Sequence, residues 1–332
     1  MATTAVAPLR EEVRRARDHR WLRFIARRTG RLLVSLWILV TAAFLMIHLI
    51  PGDPVRTALG PTASAELVAA KRESLGLNDP LPVQYIDYLR GLLVGDFGIS
   101  IQSSLPAVDV ITVRLPATAS LALLAFVFAV AISVPVGVIM AVATRRGRRR
   151  KLELGFATGS VLVSAIPDFL LGVALVAVFG VSLGWLPIAG RSGPESYILP
   201  VIALSLGPAA VLARIVRVEM LGVLEADFVR TARAKRLPAW RIHLTHALPN
   251  AVTAALTLGG LLLGSLVVGT VLVENVFAWP GLGSTIVSAI QTKDYPMVQA
   301  TVLVYGAGVL IINTVVDAIL AALDPRTTVG EH

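Results

Sequence analysis

Six stretches of the chain are predominantly apolar over a length that suits a membrane crossing: roughly 32–50, 117–143, 155–181, 198–218, 251–273 and 298–323. Crossing a hydrocarbon core of roughly 30 Å takes about 20 helical residues. None of the stretches alternates apolar and polar residues as a barrel strand does, so helices are the expected form. The pattern predicts an all-α polytopic membrane protein with six transmembrane helices. A first span (32–50) stands apart from a core at 115–323 that holds the other five, and a short tail follows at 324–332.

The polar segments carry patterns of their own. In residues 1–31, Trp21, Leu22, Phe24 and Ile25 are set among arginines between Arg14 and Arg31, which predicts a helix lying on a membrane surface. For the first dozen residues a disordered basic tail is an equal alternative. Residues 51–114 predict two short helices. One has Ser64 as N-cap, Glu66 in its first turn and Gly76 as its stop; the other runs from Val83 to Val94 with Tyr85, Leu89 and Leu92 at helical spacing. A segment of this size can cap a pore or receive another protein, but it is too small for a large core of its own. Residues 144–154 read as a basic turn, and 182–197 and 274–297 as loops on the opposite side of the membrane.

Composition agrees: 55% of the 332 residues are hydrophobic, 15% are charged, and the mean hydropathy is +0.76. A net charge of +9 suggests nucleic acid in a soluble protein, but here its distribution argues against that partner. Nine arginines precede the first span, six basic residues follow the second, and seven lie around 214–241. Between spans one and two, five basic residues face seven acidic ones. With both termini in the cytosol, 23 of the 30 basic residues fall on the cytosolic side, as the positive-inside rule requires. Cysteine is absent, which excludes disulfides and thiolate metal sites. The first apolar run has too long a charged leader, and no small-residue cleavage site, to read as a signal peptide.

The cytosolic loop at 219–250 is the most informative segment. From Glu225 it is charged but rich in helix formers as far as Leu237, breaks at Pro238 and resumes from Ala239. Such a helix–turn–helix can be a docking knob, with Ala232 and Ala234 admitting a close backbone approach and the arginines pairing with a partner's acids. It can equally be a membrane-surface helix with ordinary inside charge. The residues alone leave both readings open.

At this loop the chain resembles the permeases of ABC importers. Their cytosolic motif runs Glu-Ala-Ala, three residues, Gly, nine residues, then Ile-x-Leu-Pro. Here Arg230-Thr231-Ala232 stands in the triplet, Arg236 at the glycine, and His246-Ala247-Leu248-Pro249 in the last element at matching spacing. The stretch from Phe228 to Lys235 looks like the dipeptide/oligopeptide branch. Further resemblance comes from Ile50-Pro51-Gly52-Asp53-Pro54, Leu75 to Pro80, Gln84-Tyr85, Gly95-Asp96-Phe97-Gly98, Arg114 to Thr118, Trp279-Pro280-Gly281-Leu282-Gly283, Asp294-Tyr295-Pro296 and the closing Asp324-Pro325-Arg326. Together these cover about residues 25–326 in the family's order.

The resemblance implies a bacterial plasma-membrane permease subunit with a type I importer fold that forms half of a translocation pathway for di- or oligopeptides. Related systems carry nickel, glutathione or other small ligands. The implied partners are a second homologous permease, two ATPase subunits that bind ATP and Mg, an extracytoplasmic solute-binding protein and the lipid bilayer. The implied ATPase-coupling residues are Glu225, Arg230, Thr231, Ala232, Arg233, Ala234, Lys235, Arg236, Leu248 and Pro249. Arg236 departs from the family. A side chain at positive φ costs roughly 1 kcal/mol or more, so a differently shaped turn is expected there.

Three intramembrane polar residues are candidates for the pathway or for structure. Asp168 follows Pro167 in span three, and Asn313 and Asp317 share a face of span six. Buried membrane charge is expensive and marks a functional candidate by default. Structurally, Asp168 can satisfy backbone groups freed by Pro167, and Asp317 can reach Arg326 or water. An aspartic membrane peptidase or an ion-coupled secondary transporter are the alternatives from other classes. None of the four lysines follows a glycine, so a Walker A motif is missing and ATP hydrolysis is assigned to other chains. The five histidines include no pair at metal-ligand spacing, so no metal or cofactor is expected in this chain.

Overall fold

The computed structural model describes residues 6–49, 54–60, 62–74 and 76–323, which are almost entirely helical. The first helix, α1, runs Val6–Leu49 without a break. The surface helix expected up to Arg31 and the first span are therefore one element, since nothing between Arg31 and Leu32 interrupts helical hydrogen bonding. Three short helices follow: α2 (Pro54–Leu59), α3 (Ala65–Ser74) and α4 (Leu81–Leu93). Ser64 Oγ accepts the Leu67 N–H at 3.2 Å, and Gly76 takes φ 64° where the chain turns. The helix α2 has no counterpart in the sequence reading.

The core begins with α5 (Ala107–Thr144), which carries Pro116 and Pro135 inside it. Next come α6 (Arg150–Ala165) and α7 (Asp168–Leu175), the latter continuing as a π-helical turn over Val176–Ser182. The expected span at 155–181 is thus broken. Its two arms meet at 91° around Ile166 and Pro167. Proline drives its predecessor out of the helical region, and Ile166 is extended at φ −75° and ψ 122°. Then follow α8 (Ile198–Glu225), α9 (Asp227–Ala234), α10 (Ala239–Arg241), α11 (Leu248–Val276), α12 (Leu282–Gln291) and α13 (Tyr295–Leu323). The loop expected at 274–297 holds α12.

Among the described residues four helical stretches are long and apolar enough to cross a membrane: Ile25–His48, Ala107–Gly147, Pro194–Glu225 and Tyr295–Ala318. The bent α6–α7 pair makes a fifth. The 29-residue α11 stands where the remaining span was expected.

The helices α5 and α8 form the most extensive contact, with α11 against both and α1 against α13. Small residues bring α5 and α8 close: a Cβ on Gly137 would lie 2.7 Å from the Ala213 carbonyl oxygen. Three apolar clusters stack along the bundle. One gathers Leu199, Leu204, Leu266, Phe277 and Trp279; another joins Ala107, Leu282 and Met297 at the end that carries α2–α4. The third, at the opposite end, joins Leu212, Val216 and Met220 of α8 to Val229, Ala232, Ile242 and Ala247 of the 219–250 loop.

Candidate functional site

At the end of α8, Ala226 is extended (φ −65°, ψ 152°), and α9 begins at Asp227. The helix closes on a paired cap. The Arg236 N–H donates to the Arg233 carbonyl at 2.9 Å and the Leu237 N–H to the Ala232 carbonyl at 3.3 Å. This cap needs a left-handed residue after the last turn, and Arg236 supplies it at φ 56°. The expectation of a differently shaped turn is corrected: arginine accepts the conformation that glycine would adopt freely. After Pro238 the chain runs through α10 and a π-helical turn over Ile242–Ala247 into α11.

The sequence reading also misplaced Ala232. Val229 and Ala232 lie three residues apart on the inner face of α9 and are buried against the protein's own Leu224, Met220, Ile242 and Ala247. The outward face consists of Glu225, Arg230, Thr231, Ala234, Lys235 and Arg236, all exposed, with Arg233 and Leu248 half-buried and Pro249 exposed. Three large apolar side chains stand out among these cations: Phe228 is 45% exposed, Trp240 64% and Leu244 52%. The sequence reading missed them. The signal was there, because Phe228 is out of phase with the Val229–Ala232 stripe. Exposed aromatic side chains together with arginines are what protein interfaces are enriched in.

Polar contacts hold this loop to the bundle. Arg145, after α5, and Arg233, in α9, both donate to the Leu224 carbonyl near the C-terminus of α8, at 3.0 and 3.3 Å. His243 packs nearby. Burial, reinforced by the positive charges of Arg233 and Arg145, pushes its imidazole below the ordinary value of 6.5. Arg217 of α8 donates to Glu153 of α6 at 2.6 Å and to Thr144 Oγ1 at 3.0 Å, which ties α5, α6 and α8 together.

The candidate intramembrane residues are not brought together. Asp317 pairs with Arg28 of α1 at 2.5 Å, whereas the partner expected from sequence, Arg326, lies outside the described residues. Asn313 packs so closely on α11 that a Cβ on Gly264 would come within 2.3 Å of its Oδ1, which is buried without a hydrogen-bond partner among the described residues. Asp168 opens α7 against α8 and α11. Among the described residues it makes no hydrogen bond to the backbone groups around Pro167, contrary to the sequence reading. Two aspartates facing different neighbours do not make a proton-sharing dyad.

A second buried cluster, at the other end of α11, was also missed. Glu274 is fully buried and accepts from Thr118 Oγ1 at 2.7 Å and the Ser284 N–H at 3.0 Å, while the Leu282 N–H donates to Thr118 at 2.8 Å. Trp279, also fully buried, donates Nε1–H to the Ala117 carbonyl at 3.1 Å. A Cβ on Gly281 would come 2.4 Å from Glu274 Oε2, so the glycines of Trp279-Pro280-Gly281-Leu282-Gly283 make room for the carboxylate. Nearby, Asp294 accepts from the Ser100 hydroxyl and the Ile101 N–H, which fastens the 99–103 turn to the start of α13.

The chain is similar to known proteins in sequence and in fold. Residues 133–329 match the family described as binding-protein-dependent transport system inner membrane components, and residues 21–122 match its N-terminal component. The chain is 38% identical over 304 residues to "Glutathione transport system permease protein GsiC" of Escherichia coli strain K12, covering 92% of this chain and 98% of that protein. It is 39% identical over the same length, with the same coverage, to the protein of that name from Salmonella typhimurium strain LT2. Two solved inward-facing conformations of the MetNI methionine ABC transporter share the fold. They have TM-scores of 0.52 and 0.54 at 21% and 22% identity, cover 65% and 64% of this chain, and are themselves covered to 96% and 95%.

Proposed function

The chain belongs to the family of binding-protein-dependent transport system inner membrane components, the permease subunits of ABC importers, and from that premise we propose that it forms half of a pathway for small peptides. The other half is a second, homologous permease. Two ATPase subunits bind ATP and Mg and seat themselves on the 225–249 loop, and an extracytoplasmic binding protein delivers solute to the end that carries α2–α4. Both termini lie in the cytosol and the chain crosses the membrane six times, α6 and α7 sharing one crossing.

One observation carries the coupling assignment. The loop bears an exposed Phe228, Trp240 and Leu244 along with exposed Arg230, Lys235, Arg236 and Arg241, while its inner face is locked into the bundle by Val229 and Ala232. A knob that is rigid inside and sticky outside can transmit a push from an ATPase to α8 and α11. The peptide assignment draws on the glutathione permeases, since glutathione is itself a tripeptide.

The test is reconstitution. In liposomes, this chain with its partner permease, ATPases and binding protein should take up glutathione or dialanine only with ATP, and loaded binding protein should speed ATP hydrolysis. The purified chain alone should hydrolyse none. ATP hydrolysis by the chain alone, or ATP-independent uptake, would refute the reading.

A further inference from the structure

Asp168 plays no part in the docking patch or in the clamp around Glu274. It opens α7 directly after the 91° break at Pro167. One turn on, Gly172 packs against Phe277 and Val276 of the α11 end and Ala203 of α8, its Cβ position lying 3.1, 3.5 and 3.7 Å from them. Residues four apart share a helix face, so Asp168 is turned into the bundle and away from lipid.

Glycines on two neighbouring helices make room for the carboxylate: a Cβ on Gly207 of α8 would stand 3.6 Å from Oδ1, and one on Gly269 of α11 3.2 Å from Oδ2. Among the described residues Asp168 has neither a hydrogen-bond donor nor a cation. Other acids of the bundle are met: Asp317 by Arg28, Glu153 by Arg217, Glu274 by Thr118 and Ser284. An ionisable residue held inside a membrane bundle faces a water-filled path or a charged ligand. A carboxylate with unfilled acceptor sites, set at a helix break and lodged against α8 and α11, is half of a cation site.

We propose that Asp168 is a recognition point in the translocation pathway, where the ammonium group of a peptide-like solute is held in passing by a charge-assisted hydrogen bond. The proposal rests on the peptide-importer reading and adds the chemical group recognised. No bond is made or broken. The site needs only to favour a cation over the neutral analogue, and weakly enough to release it.

The test uses the reconstituted four-component transporter with Asp168→Asn and Asp168→Glu variants. The probes are glutathione and dialanine, each beside its desamino counterpart, glutaryl-cysteinylglycine and propionyl-alanine, and all are supplied at saturating loaded binding protein. Asp168→Asn should lower uptake of the two amine-bearing probes by about tenfold or more, the worth of one desolvated charge-assisted contact. It should leave the desamino probes and the amount of assembled complex unchanged, and Asp168→Glu should recover most of the loss. Where a desamino probe fails to load the binding protein, the contrast between the Asn and Glu variants decides. Unchanged uptake in Asp168→Asn, equal loss with all probes, equal loss in both variants, or loss of assembly would overturn the proposal. Absence of ATP-driven uptake by the wild-type complex would instead bring down the importer reading itself.

Discussion

The hydroxyl of Thr118 donates to the carboxylate of Glu274 at 2.7 Å, joining the first turn of α5's apolar stretch to the end of α11. The same hydroxyl accepts the Leu282 N–H, so one threonine links two helices and the loop that opens α12. Removing the carboxylate strands these donors in a fully buried place, which costs about 1–3 kcal/mol for each group left unpaired. Glu274→Leu should therefore lower the thermal midpoint in detergent by several degrees and expose the 277–284 loop to protease. Gly281→Ala should do the same by forcing the carboxylate aside. A midpoint within a degree of wild type for both variants would show that the cluster is not a clamp.

Arg236 holds a left-handed conformation that costs a non-glycine residue roughly 1 kcal/mol. Arg236→Gly should keep the cap, raise stability by up to that amount less the added chain entropy, and leave ATPase binding nearly intact. Arg236→Val should lose stability, because a β-branched residue tolerates positive φ poorly. Thermal melts of the three proteins, with co-purification of the ATPase, give the comparison. Equal melts for the glycine and valine variants would mean that the turn does not require this conformation.

Because Ala232 is packed inside the protein's own core, Ala232→Glu should act on folding before it acts on docking. A carboxylate forced into that apolar cluster costs several kcal/mol, so the variant should accumulate poorly in the membrane. The docking surface is reached instead through Trp240→Ala and Phe228→Ala. Each should leave expression and melting unchanged but weaken ATPase co-purification by about tenfold, as loss of an interface anchor does. Normal accumulation of Ala232→Glu, or undisturbed ATPase binding by the Trp240→Ala and Phe228→Ala double variant, would overturn this arrangement.

Apolar length alone pointed to most of the helices long enough to cross a membrane, because a crossing needs uninterrupted burial and leaves a long signal. The break at Pro167 was harder to foresee. Pro116, Pro135 and Pro208 sit inside helices that continue, so proline marks a weakness and packing decides the outcome. The 219–250 loop stood out by its spacing and charge, and the docking role came from the family resemblance. Which side of α9 faced out was not legible, since alanine suits a close partner contact and a crowded interior equally well. Glu274 escaped notice because one acid at the edge of an apolar run resembles an ordinary helix end until the glycines that fold back over it are seen. Asp317 was found, but its partner Arg28 lies almost 300 residues away, beyond any local pattern.

His243 gives the docking loop a pH dependence with a definite sign. Burial, Arg233 and Arg145 hold its folded pKa below the ordinary 6.5, so the unfolded chain binds the proton more readily. Stability is then complete above 6.5 and falls as the pH drops through the unfolded value towards the lowered folded one. Wild type should lose more of its melting temperature between pH 7.5 and 5.5 than His243→Gln does. A variant with an equal or larger loss would contradict the assignment.

The orientation is open to a direct test, helped by the absence of cysteine from the wild-type chain. Ser103 is exposed in the 99–103 turn, at the end of the bundle assigned to the outside. Ala239 is exposed at the start of α10, in the docking loop assigned to the cytosol. A single cysteine at either place disturbs no buried side chain. In intact cells with the outer barrier permeabilised, a membrane-impermeant thiol reagent should label Ser103→Cys and leave Ala239→Cys unlabelled; in inverted vesicles the two should exchange. The charge distribution makes the same demand, because turning the bundle over would carry most of the 30 basic residues across the membrane. Labelling of Ala239→Cys from outside would reverse the topology. It would also place the patch of Phe228, Trp240 and Leu244 out of reach of any ATPase, so this measurement tests the coupling assignment together with the orientation.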